Sequence, residues 1–237
     1  MREFDDKTSW EGGRGEVLYT GAVLEAAGAH DKLKRAITLQ LERWNATEKE
    51  RRAAEDGVVT ANACVAWADH VLDKAVRAFA NELLHDAGGD ATKRAFTAYF
   101  PEAPNEVIRM GLEAEVERCE RFGVVAEKVP LSKATAAKLA TVNEAITAGK
   151  AALKRRRDAY NTQAQASLDV ASWKESANAT RVSVFVQLQA WALEHDEERV
   201  YADRFFPVRT AGRRKGAKDE GEGGGGGGGG EEGGGTP

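Results

Sequence analysis

The stretch VVTANACVAWADHVLDKAVRAFANEL, residues 58–83, decides the fold class. Val58, Ala61, Val65, Ala68, Leu72, Val76, Phe79 and Leu83 step by three and four, the spacing that gathers side chains on one face of an α-helix. Asp69 and Asp73 stand at the border of that face, with Lys74 and Arg77 beyond it. On the N-terminal side Leu33, Ile37, Leu41 and Trp44 recur at the same spacing after Asp31, a good N-cap residue. Gly57 lies where the two runs meet, either as a left-handed stop or as a glycine tolerated inside a longer helix. The stop is the reading adopted here.

Gly88-Gly89 ends the run, and Asp90 can cap a short helix that carries Arg94, Ala95 and Tyr99 into Phe100-Pro101. Pro104 suits the first turn of another helix, reaching about Phe122, with Val107, Ile108, Leu112, Val116 and Cys119 inward and Gly111 as its weak point. After a connector to Leu131, Ser132 is the next cap. Leu139, Val142, Ile146, Gly149, Leu153, Arg156 and Tyr160 then step like an a/d coiled-coil seam, with Gly149 and Arg156 as imperfect members. No proline and no further glycine occur before Phe206. A single helix of some seventy residues would exceed roughly 100 Å at about 1.5 Å per residue, so a turn is expected near Gln163.

An offset of 106 aligns residues 32–101 with 138–207 without a gap, and 11 of the 70 pairs are identical. Among them are Trp67 with Trp173, Val76 with Val182, Phe79 with Phe185, and Phe100-Pro101 with Phe206-Pro207. The expected fold is therefore all-α: two antiparallel helical hairpins, related if the duplication holds, in a four-helix-type bundle with a crossover helix and flexible termini. Residues 1–30, rich in glycine, read as a flexible leader with one short helix at 17–27. Residues 31–101 are the first hairpin, 102–131 the crossover helix and connector, and 132–207 the second hairpin. The charged tail, 208–237, holds 14 of the chain's 25 glycines, all from Gly212 onward, and reads as disordered.

Composition narrows the function classes. Hydrophobic residues at 42% and charged residues at 30% suit a soluble helical protein, and a net charge of −4 does not argue for nucleic acid or membrane as main partner. No signal peptide is visible, and the most apolar segment, 182–193, is too short to span a bilayer. Cys64 and Cys119 sit in apolar-periodic stretches and read as core-filling free thiols, which together with the missing leader makes the cytoplasm the expected location.

Candidate chemistry is sparse. Glu82-Leu83-Leu84-His85 is one element of a di-iron carboxylate site, but its counterpart is missing: the aligned positions are Leu188 and Trp191. Gly12-Gly13-Arg14-Gly15 lacks the lysine and hydroxyl of a phosphate loop. Lys154 to Arg157 have Asp158 and Glu144 nearby and read as a solvated, ion-paired face. In the tail, Arg209, Arg213, Arg214, Lys215 and Lys218 could touch phosphates, but five acids follow them on a glycine tether and compete. The most unusual feature is the pair of aromatic-proline ends, Tyr99-Phe100-Pro101 and Phe205-Phe206-Pro207. They either plug the core or offer a docking surface, and plugging is favoured. The expected function is a non-enzymatic structural or protein-interaction bundle, self-associating or bound to another protein, with no catalytic residue, metal or cofactor. The alternatives are a metal- or ligand-binding bundle using Glu82 and His85, and weak nucleic-acid binding through the basic tail segment.

Overall fold

The computed structural model describes residues 3, 4 and 7–207. Residues 1–206 make one unit, and the second runs from Pro207 onward. The expected tail over 208–237, with its basic run, lies outside the described residues. The class is all-α, with no strand among the described residues. In chain order the helices are α1 (Trp10–Ala27), α2 (Asp31–Asp86), α3 (Arg94–Thr97), α4 (Pro104–Ile108), α5 (Leu112–Ala126) and α6 (Lys133–Glu194), followed by a 3-10 helix (Tyr201–Phe205).

The hairpin turns expected at Gly57 and near Gln163 are absent. α2 runs unbroken for 56 residues and α6 for 62, about 85 and 90 Å at 1.5 Å per residue. Gly57 has no left-handed backbone and simply continues the helix. The length objection fails because the two long helices lie antiparallel, each covering the other. Thr135 at the start of α6 donates to Asp86 at the end of α2, Asn62 donates to Tyr160 near the middle at 3.5 Å, and Trp173 Nε1 donates to the Gln40 carbonyl at 2.8 Å.

The expected leader is also corrected. From Trp10 to Ala27 it is a helix packed on α2, with Val17 fully buried and Leu24 nearly so. Two of its glycines, Gly13 and Gly21, mark close approach to other elements. A Cβ on Gly13 would come within 3.2 Å of the Trp173 ring, and one on Gly21 within 3.2 Å of Ile37. Ser9 caps the helix by accepting from Gly12 N at 3.0 Å, and Gly28, at φ +67°, closes it. The crossover helix splits at Gly111, whose φ of +78° suits glycine and separates α4 from α5. α5 then lies along α6 so tightly that a Cβ on Gly149 would meet Leu112 and Val116 at 3.1 Å, which accounts for the glycine in the seam.

Two apolar clusters form, one at each end of the long pair. The first joins the C-terminal half of α2, the N-terminal part of α6 and α3 to α5. The second joins α1, the start of α2, the end of α6 and the 3-10 helix. The order short helix, long helix, short cap ending in Phe-Pro thus occurs twice.

The aligned tryptophans do not share an environment. Trp67 is 68% exposed and Trp173 only 1%. Burial recurs at a spacing of 105, not 106: Ala61, Leu72, Val76 and Leu83 on α2 answer to Ala166, Ala177, Arg181 and Leu188 on α6. One residue is about 100° of helix rotation, so a slip of one turns the matched position to the outer face.

Candidate functional sites

The aromatic members of the two aromatic-proline ends lie inside the molecule. Tyr99 is fully buried and donates its hydroxyl to the Val129 carbonyl at 2.9 Å, while Phe100 packs on Phe122 and Phe79 with ring centroids 5.1 and 5.9 Å apart. Arg118 ties this end together: it donates to the Tyr99 carbonyl at 2.9 Å, pairs with Glu102 and lies over the Phe122 ring. At the other end Phe205 and Phe206 are buried, and Phe206 meets Phe185 edge-on at 5.6 Å. Arg181, buried to 1% exposure, is flanked by Phe4 and Phe206 and pairs with Glu16 at 2.8 Å. Pro101 is exposed, and Pro207 is half-buried.

Beside Arg181 the aromatic end continues into a histidine cluster. His30, just before α2, shares a 2.9 Å hydrogen bond with the Tyr201 hydroxyl and lies edge-on to Trp191, on which His195 stacks at 4.1 Å. Burial first, and the nearby His195 second, lower the His30 pKa from its usual 6.5. Further along α1 and α2, Glu48 accepts from Trp10 Nε1 at 2.7 Å, from Arg51 and from Arg52. Those bonds, led by Arg51, hold its carboxyl down at about 2 despite burial.

Glu82 and His85 are joined by Asp86, which the sequence reading did not include. One ligand atom from each lies within 4.8 Å of the others, in the last turn of α2. The turn is partly to fully exposed, and Asp86 also accepts from Thr135. Cys119 is buried among apolar groups and its thiol is pushed up to about 12, chiefly by that burial. Cys64 is half-buried, with Arg155 Nη1 3.7 Å from its sulfur. In the basic run Lys154 pairs with Asp158 at 2.7 Å and Arg156 lies 3.9 Å from Glu113 on α5.

A second acidic group escaped the sequence reading. Glu115, in the first turn of α5, is fully buried and faces Asp69 and Asp73 on α2. Burial, then the charges of Asp73 and Asp69, push Glu115 up to about 8. The signal was present: Glu115 falls three after Leu112 and four before Cys119, on the inward face. No helix of the described residues is long and apolar enough to cross a membrane. No family model matches this chain, and neither the curated proteins nor the solved structures yield a match.

Proposed function

We propose that this protein is a non-enzymatic structural or protein-interaction module of the cytoplasm, in which the paired helices α2 and α6 act as a rod and their mid-section as a self-association surface. The reading rests on one observation. Between the end clusters the buried positions shrink to Ala54 and Ala61 on α2 and Ala166 on α6, while Val59 is 70%, Trp67 68% and Leu168 63% exposed. A thin, alanine-lined helix pair carrying large bare side chains gains by burying them against further helices. The aromatics at the two ends are mostly buried, whereas the middle carries Trp67 and Tyr160, the two most exposed aromatics among the described residues. We further infer that the two halves descend from one unit, on the repeated element order and the burial recurring at a spacing of 105.

Sedimentation of the full chain tests the proposal. The wild type should show a concentration-dependent dimer or larger species. Trp67→Glu should shift it to monomer while moving stability by no more than about 0.5 kcal/mol, as for an exposed position. A wild type that stays monomeric at high concentration, or a Trp67→Glu variant that assembles as before, overturns it. A second reading is a transition-metal site on Glu82, His85 and Asp86, favoured by their mutual approach within 4.8 Å. It requires stoichiometric Zn²⁺ or Co²⁺ binding that His85→Ala removes.

A further inference from the structure

Where α5 docks on α2, three acids converge with too little positive charge to offset them. Asp69 and Asp73 are one turn apart on α2, and Glu115 on α5 faces them with no exposed surface. Neither Glu115 oxygen has a hydrogen-bond partner, and Asp69 Oδ1 and Asp73 Oδ1 are likewise buried and unpartnered. Arg77 reaches the cluster from α2, but its guanidinium is 3.8 Å from Asp73 and 60% exposed. Buried carboxylate oxygens without donors are strongly unfavourable unless a cation or a proton completes them. A cavity of about 720 Å³ opens at Asp69, with Asn62, Gly111, Glu113 and Glu117 on its walls, and provides a way in.

We propose that Asp73 and Glu115, with Asp69 beside them, bind a divalent, oxygen-preferring cation of the Mg²⁺, Mn²⁺ or Ca²⁺ class that enters through this cavity. The donor set consists of carboxylate oxygens alone, which suits hard cations and not Zn²⁺ or Cu²⁺. Glu115 faces Asp73 across the contact of α5 with α2, and buried oxygens of both lack a donor. Hard octahedral ions take a few carboxylate ligands and keep water in their remaining positions. Asp69 stands on the cavity side, where it can act through one of those waters.

A proton holds the same place when no cation does, since burial beside Asp73 and Asp69 raises Glu115 to about 8. The other titratable or charged groups around Glu115 are Cys119 and Arg118 on α5 and Arg77 on α2, while α6 contributes Arg156, paired with Glu113 at the cavity wall. Because its ligands come from both helices, the cation would fasten α5 to α2.

The test uses the full chain in a His85→Ala background, so that the last turn of α2 cannot account for any binding. Mn²⁺ titration by calorimetry and by loss of the free-ion paramagnetic signal should give one ion per chain. Glu115→Gln should weaken Mn²⁺ binding at least tenfold and abolish the rise in melting temperature that Mn²⁺ gives the parent. Asp73→Asn, at a partly exposed position, should do the same and serves if the first variant does not fold. No binding at millimolar Mn²⁺, Mg²⁺ or Ca²⁺ at pH 8.5 overturns the proposal and leaves the site to a shared proton. Binding that survives both substitutions overturns it as well.

Discussion

Gly57 is the residue at which two architectures separate. In a hairpin it would hold a left-handed turn, and any side chain there would strain the backbone. In the long helix its φ is ordinary and a Cβ would meet nothing within 4 Å. Glycine inside a helix costs roughly 0.5 to 1 kcal/mol relative to alanine, because the unfolded chain is freer and the helix gains nothing from it. Gly57→Ala should therefore stabilise the protein by about that amount in urea melts, with the slope against denaturant unchanged. A loss of stability of 1 kcal/mol or more would return the turn to this position. Gly149 is expected to behave in the opposite way, since its Cβ would press on Leu112 and Val116.

At the scale of elements, the end caps carry stability that the long helices cannot supply alone. Phe206 follows the 3-10 helix and seats its ring near Phe185 and Arg181 at 4% exposure. Phe206→Ala should cost roughly 3 to 5 kcal/mol as a large-to-small change, and should leave the association state unmoved if the mid-section is the interface. Unchanged melting with lost assembly would reassign Phe206 to docking. This also shows what was legible in the sequence. Periodicity identified α2, α5 and α6 as helical, and the inward faces of α2, α5 and the first half of α6, because burial and helix pitch write themselves directly into residue spacing. Continuity was not legible: Ala-rich helices keep the same pattern whether they turn back or run on, and only a partner of equal length lying antiparallel decides it. Of the candidate sites, Glu82 and His85 were visible as a spaced motif. Glu115 was visible in the sequence as an acid at an inward position, but its opposition to Asp69 and Asp73 depends on how α5 crosses α2, which spacing does not encode. Trp67 misled, since a one-residue slip in the internal alignment preserves composition and reverses the face.

Across the whole molecule the two ends carry buried titratable groups of opposite sense, and they should respond to pH in opposite directions. Glu115 ionises near 4.5 when unfolded and at about 8 when folded. The fold thus binds the extra proton, so its contribution to stability is complete below pH 4.5 and falls away as pH rises through about 8. Asp69, also raised by burial and by Asp73, acts in the same sense. His30 is shifted the other way, below 6.5, by burial and by His195. Protonating it opposes folding, so the contribution of its end is present above pH 6.5 and is lost as pH falls below that value. In divalent-free buffer, amide-exchange protection factors should separate the two. Between pH 5 and 6.5, protection of α1 and of the start of α2 should rise while that of α5 falls. Above pH 6.5 the first should level off, and the second should go on falling until about pH 8. Trp10, Trp44, Trp173 and Trp191 lie at the His30 end and Trp67 alone lies near Asp69, so in a Trp67→Phe background tryptophan emission should follow the acidic transition and miss the alkaline one. Glu115→Gln should flatten the alkaline decline of α5 without altering the acidic response of α1. Ends that loosen together at one pH, or an alkaline decline that survives Glu115→Gln, would contradict this electrostatic assignment.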